Sequence, residues 1–187
     1  MRTPGLGLWL SLGLIVPVTA ASDPHVVESD SVSTIAFPGH DTRLLAGWHT
    51  TPAGAAVLAL EVPALTFGAP PHVHEREDEF FYVLEGQVEF LDRERTISAG
   101  AGALVVLPRG NLHGFWNASD EPARMLLVIT PGEFASFFDE VVAQIRERNL
   151  SDPAQVGALI AETAERHDVR VYPDRIPESA RALLPSP

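Results

Sequence analysis

Between residues 42 and 130 the apolar positions fall in short runs, most of them alternating with polar ones. The runs are 42–50 (TRLLAGWHT), 55–62 (AAVLALEV), 80–85 (FFYVLE), 87–91 (QVEFL), 95–98 (RTIS), 103–107 (ALVVL), 113–117 (HGFWN) and 123–130 (ARMLLVIT). Turn-forming residues separate them, among them Thr51-Pro52, Gly68, Glu85-Gly86, Ala99-Gly100, Pro108-Arg109-Gly110 and Ser119-Asp120. A repeat of two is the period of a strand with one buried face, and many short strands at near-regular spacing predict an antiparallel sandwich or barrel. The expected fold class is therefore an all-β core.

After Thr130 the period changes. Phe134, Phe137, Phe138, Val141, Val142 and Ile145 recur at helical spacing and form one apolar stripe. The spacing predicts a helix opened by Thr130 as N-cap, Pro131 in the first helical position and Glu133 at the capping-box position. A second helix is expected from Asp152-Pro153 to about His167, with Val156, Leu159, Ile160 and Thr163 on one face. Phenylalanines at this spacing read as core and not as an aromatic ligand site. These C-terminal α-helices are expected to cover the outside of the β-unit, and the proline-rich tail from Tyr172 to Pro187 reads as a loosely held arm.

The N-terminus adds a targeting signal. Arg2 precedes an apolar stretch from Leu6 to Val18, and the small residues Thr19, Ala20 and Ala21 follow. That is the form of a secretory signal peptide cleaved after Ala20, giving a secreted product. A membrane anchor would need about 20 apolar residues without a break such as Pro17. The expected organisation is a signal peptide over 1–20, a β-barrel over 21–131 and a helical extension over 132–187.

The formal charge of the 187-residue chain is -12, and loss of Arg2 with the leader (−12 − 1) makes it -13. Nucleic acid and anionic membranes are poor partners for such a chain, because both require clustered positive charge. All thirteen basic residues are arginine, and the chain has no cysteine. Lysine Schiff bases, thiolate nucleophiles and disulfides are thereby excluded.

The stretch PPHVHEREDEFFYVLEG, residues 70–86, concentrates the remaining chemistry. In a strand His72 and His74 point to one side, close enough to share an ion. Glu75, Glu77 and Asp78 read as a solvated turn. Glu79 differs, since alternation puts it on one face with Phe81 and Val83, and a carboxylate entering a barrel interior requires a partner. The stretch GALVVLPRGNLHGFWN, residues 102–117, supplies a third histidine, His113, at the same parity as Phe115 and Asn117. If the two strands are neighbours, His72, His74, Glu79 and His113 form a set suited to a divalent first-row transition metal with open positions.

These two stretches resemble the cupin superfamily. Its first motif, G-x5-H-x-H-x(3,4)-E-x6-G, is matched by His72, His74, Glu79 and Gly86. Its second, G-x5-P-x-G-x2-H-x3-N, is matched by Gly102, Pro108, Gly110, His113 and Asn117. One departure is present, because Gly68 stands closer to the histidines than the motif glycine does and Thr66 takes that place. The resemblance covers about residues 42–131, with the motif core at 68–117. It implies a single jelly-roll β-barrel holding one ion (Fe, Mn, Ni, Cu or Zn) on His72, His74, Glu79 and His113. His25, His40, His49 and His167 match no motif position and read as structural or surface residues, with His49 on a strand that could line the cavity.

The resemblance further implies an enzyme of the quercetin-dioxygenase-like kind, acting on a small aromatic or enolic natural product with dioxygen. In that reading Glu79 is both ligand and catalytic base, and Phe81, Val83, Phe115, with Phe67 and Phe90, wall the pocket. Two alternatives stay open: a non-redox isomerase, cyclase or dehydratase using the ion as Lewis acid, and a germin-type metal-containing binding protein. A homodimer is compatible with each reading. Of the two sequons, Asn149 is the expected glycan acceptor, because the parity of Asn117 turns it inward.

Overall fold

A computed structural model describes residues 23–50 and 52–184. The expected signal peptide lies outside the described residues. Within them, no helix is long and apolar enough to cross a membrane.

Ten strands precede the helices. They are β1 (Ile35–Phe37), β2 (His40–Ala46), β3 (Ala56–Val62), β4 (Thr66–His74), β5 (Asp78–Glu85), β6 (Gln87–Asp92), β7 (Arg95–Gly100), β8 (Leu104–Leu107), β9 (His113–Asn117) and β10 (Ala123–Thr130). After them come α1 (Ser136–Glu147), α2 (Pro153–Arg166), β11 (Val169–Val171) and the short α3 (Glu178–Arg181). The strands form two antiparallel sheets, β1-β2-β3-β10-β5-β8 and β11-β4-β9-β6-β7. This is the jelly-roll core that the alternating pattern predicts.

The inward faces meet in one core. Leu58, Leu60, Phe81, Val83, Met125 and Leu127 from the first sheet pack with Val88, Phe90, Ala99 and Phe115 from the second. Phe81 lies between the sheets, with ring centroids 5.4 Å from Phe90 and 5.5 Å from Phe115. Along β5 the burial alternates as the sequence requires, Glu79, Phe81 and Val83 inward and Tyr82 outward. Gly86 turns β5 into β6 with φ at +73°, and a Cβ there would sit 2.6 Å from the Pro122 carbonyl. No other residue fits that turn.

Several elements depart from the sequence expectation. The run 42–50 stops being strand at Ala46, since residues 47–50 close a turn with Thr50 N–H donating to the Gly47 carbonyl at 2.9 Å. His49 is consequently exposed. Thr130 does not cap α1. It is the last residue of β10, paired with Asp78, and Gly132–Ala135 forms a 3-10 turn before α1 starts at Ser136. The β-ladder holds Thr130 in extended conformation, which delays the helix. The start of α2 is as expected, with Asp152 accepting the Gln155 amide through its side chain at 2.9 Å and Pro153 at the first position.

The C-terminal extension is part of the barrel wall. β11 pairs with β4, Val169 opposite His74 and Val171 opposite His72. The Tyr172 amide donates to the Pro71 carbonyl at 2.7 Å. Ala180 is fully buried in a small cluster with Leu91 and Trp116, flanked by Phe67, Ile176 and Leu183. Residues 172–184 are therefore docked, contrary to the loose arm expected from their prolines. Ile176 and Leu183 supply the apolar contacts that anchor them.

Candidate metal centre and cavity

The register of β4 against β9 sets His72 opposite His113, and β5 brings Glu79 in from the facing sheet. The ring centroids are 4.3 Å apart for His72 and His113, 5.0 Å for His72 and His74, and 5.6 Å for His74 and His113. One donor atom from each of His72, His74, Glu79 and His113 lies within 4.8 Å of all the others. The four residues named from the motifs are thus brought together.

Their orientation is fixed from behind. His72 Nδ1 is 2.7 Å from the Pro70 carbonyl, His113 Nδ1 is 2.9 Å from the Asn111 carbonyl, and His74 Nδ1 is 3.1 Å from Glu77 Oε2. An acceptor at each Nδ1 requires that nitrogen to carry the proton, which leaves the Nε2 lone pairs for the interior. His113 Nε2 then faces Glu79 Oε2 at 3.1 Å and His74 Nε2 stands 3.6 Å from Glu79 Oε1. His74 Nε2 is buried with no hydrogen-bond partner among the described residues. Lone pairs on imidazole and carboxylate repel unless positive charge sits between them, so the donor set fits a divalent cation.

The titration of the group agrees. Burial, then the neighbouring His113 and His74 rings, push His72 well below the ordinary imidazole value. Burial also acts to lower His74, but the Glu79 and Glu77 carboxylates outweigh it and raise this ring. Burial pushes the Glu79 carboxyl up, and the His74, His113 and His72 rings together overcome that and hold it at about 2. Glu79 is ionised and the cluster attracts cations.

Glu77 is the residue the sequence reading places wrongly. It belongs to the acidic run expected to be a solvated turn, yet it is buried at 4% exposure against His74. Neither its neighbours nor its spacing distinguishes it, since the chain path at the start of β5 turns it inward. Asp78, beside it, accepts from the Arg109 guanidinium at 2.7 and 3.0 Å, and this contact holds its carboxyl down at about 2. Glu75 is exposed as expected.

Comparison with known proteins agrees with this arrangement. The sequence profile of the cupin domain matches residues 60–129. The polyketide synthase CurC of Streptomyces cyaneus is 31% identical over 109 residues, which are 58% of this chain and 70% of CurC. This chain belongs to the cupin superfamily. A germin-like protein (subfamily T member 2) of Arabidopsis thaliana is also 31% identical, over 56% of this chain and 45% of that protein. Among solved structures, a predicted oxalate decarboxylase from Thermotoga maritima aligns over 56% of this chain and 97% of its own, with TM-score 0.53 and 21% identity. The polyketide cyclase RemF from Streptomyces resistomycificus aligns over 57% and 79%, with TM-score 0.49 and 30% identity.

This cupin has a cavity of about 1040 Å³ beside the cluster. His72 and Glu79 reach its surface, and Phe67, Phe81 and Phe115 line it as expected. Val83 and Phe90 do not line it, because both are fully buried in the packing between the sheets. Phe134, Phe137 and Phe138 line it as well, so these helix-spaced phenylalanines are cavity wall as well as core. Phe134 stands edge-on to the His74 ring at 4.5 Å. α2 and β11 contribute Ile160, Ala164, Val169 and Val171, so the helices enclose the cavity and do not merely cover the barrel's outside. Phe115 packs against Gly68, where a Cβ would sit 2.2 Å from its ring, so the missing side chain leaves room for it.

The remaining histidines are the surface or structural residues expected, with His40 as the exception. His25 and His49 are exposed, and His167 is half-buried with Nε2 2.8 Å from Glu140 Oε2. The cavity-lining ring outside the cluster belongs to His40, not His49. Asn117 is wholly buried, donating to the Val62, Pro63 and Glu121 carbonyls at 2.8–3.2 Å, and so is closed to glycosylation.

Proposed function

We propose that this cupin is a metal-dependent enzyme of non-redox type, a cyclase or dehydratase acting on neutral, multi-ring enolic compounds of polyketide origin. The observation that carries this reading is the composition of the cavity. Its wall is aromatic and aliphatic, its sole carboxylate among the described residues is Glu79, and no arginine lines it. Such a wall favours a flat apolar substrate, and away from the metal cluster it offers no cationic partner to an anionic group among the described residues. The similarity to CurC, a polyketide synthase by name, supports the same substrate class.

A divalent ion held by His72, His74, Glu79 and His113 would supply Lewis acidity toward a substrate carbonyl or enol oxygen. The chain's own residues do the rest. Phe81, Phe115 and Phe134 hold a planar ring system and keep water away from it. In this reading Glu79 would take a proton from the carbon or hydroxyl being activated, releasing one oxygen from its ring contacts to do so. The dioxygenase expectation rests on the resemblance to quercetin-dioxygenase-like cupins, and a metal set with open positions serves either chemistry. The CurC similarity favours the non-redox one.

The test is a screen of linear polyketide-derived enols with protein loaded in parallel with zinc and with iron(II), following product by mass spectrometry and dissolved oxygen by electrode. Turnover without oxygen uptake, lost by about 10²- to 10⁴-fold in Glu79→Gln, is the expected result. Stoichiometric oxygen consumption would overturn the non-redox assignment. A Glu79→Gln variant that keeps both metal and rate would remove the base role.

A further inference from the structure

The cavity carries a second polar feature that the metal cluster does not use. His40 opens β2, is buried, and lines the cavity through a ring framed by aromatic neighbours. It stacks on Phe37 at 5.0 Å, with Phe115 at 5.7 Å and Phe138 edge-on at 6.0 Å. Its Nδ1 is 2.8 Å from Thr42 Oγ1. Thr42 is wholly buried, and its hydroxyl has no other partner among the described residues. A buried hydroxyl gives its proton to an available acceptor, so Thr42 O–H donates to Nδ1. That assignment leaves the proton of neutral His40 on Nε2, and Nε2–H has no protein partner among the described residues.

We infer that His40 Nε2–H is a substrate-binding donor, which hydrogen-bonds a carbonyl or quinone oxygen on the part of the ligand away from the metal cluster. This rests on the reading of the cavity as a site for neutral multi-ring compounds. An acceptor oxygen suits the position because the ring presents a donor, and a neutral one suits it because no arginine lines the wall among the described residues. Burial lowers the His40 pKa to about 4, so the ring remains a neutral donor throughout the physiological range. A neutral imidazole N–H can polarise a carbonyl without transferring its proton. The site would therefore read two oxygens of one flat molecule, one at the cluster and one at His40.

The test uses the full chain loaded with zinc and 1,8-dihydroxyanthraquinone as the probe, followed by fluorescence titration. Wild type should bind it, and His40→Phe, which keeps the ring packing and removes the donor, should bind about 3- to 10-fold more weakly. His40→Gln should recover part of the loss. In ¹⁵N-histidine spectra the His40 Nε2 signal should show the Nε2–H tautomer and move on probe addition. Equal affinity of wild type and His40→Phe, or an unmoved His40 signal in the bound state, overturns the inference. A zinc-loaded wild type that does not bind the probe overturns the apolar-ligand reading and this inference with it. Absence of zinc uptake sinks the Lewis-acid reading alone, because the probe titration still tests His40. Thermal melting of the variants identifies any loss that comes from misfolding.

Discussion

Glu77 shows how much of a metal site lies behind its ligands. Its carboxylate, 3.1 Å from His74 Nδ1, fixes the tautomer that turns His74 Nε2 toward Glu79 and His113. Without it, His74 could equally carry its proton on Nε2 and lose its donor lone pair. Glu77→Gln is expected to lower zinc affinity by about 10- to 100-fold, with the metal-free melting temperature little changed. Competition against a chromophoric chelator measures this directly. Affinity equal to wild type would show that a neutral acceptor at this position holds the tautomer as well as the carboxylate does. The four ligands themselves were legible because spacing and parity survive folding: His72 and His113 are paired across β4 and β9, and Glu79 is inward with Phe81. Glu77 was not, since its burial depends on how the chain enters β5 and not on its place in an acidic run. His40 was obscured similarly, because no motif marks it and its cavity is completed by helices nearly a hundred residues later in sequence.

At the scale of elements, β11 couples the helical extension to the metal ligands. Val169 is buried and lies opposite His74, so a charge there would sit inside the wall of the cavity. Val169→Asp leaves a buried carboxylate without a cationic partner, a class of change that costs several kcal/mol unless the strand detaches. Detachment is the cheaper outcome for a three-residue edge strand. The variant is therefore expected to fold as a barrel with β11 and α2 released, lowering zinc affinity and abolishing probe binding together. Hydrogen exchange would locate the loss of protection at residues 153–171. Protection there unchanged, with binding lost, would contradict this account. The sequence pattern finds most of the long elements, since alternation and helical stripes are local, but not β4 as a run, where Gly68, Pro70 and Pro71 interrupt the apolar pattern. It also misses β1 and β11, whose three residues each carry too little periodicity and which are defined by their pairing, β11 with the distant β4. The tail follows the same logic: its prolines argue for extension, while burial of Ala180 against Trp116 and Leu91 is a long-range contact.

For the whole molecule, the same buried imidazoles that shape the site make the fold sensitive to acid. His40 has a pKa of about 4 in the folded chain against an ordinary 6.5, with burial as the cause. The unfolded chain therefore binds a proton at this residue between those two values while the folded chain does not. By linkage, the stability that neutral His40 permits is fully present above about pH 6.5 and is lost as pH falls toward 4. The gap between 6.5 and about 4, at about 1.4 kcal/mol per pH unit, bounds the loss at about 3 to 4 kcal/mol. Acid also competes with any bound ion for the His72, His74 and His113 nitrogens, so the comparison is made on chelator-treated protein. Urea midpoints are to be measured at intervals from pH 4 to 7 for wild type and for His40→Phe, which cannot take up a proton in either state. His72 contributes to the acid loss of both proteins and cancels in the difference. The expected result is a wild-type midpoint that falls more steeply below pH 6.5 than that of the variant. Parallel curves would mean that His40 titrates normally in the folded chain, and that its ring is solvated and not held in the aromatic frame of Phe37, Phe115 and Phe138.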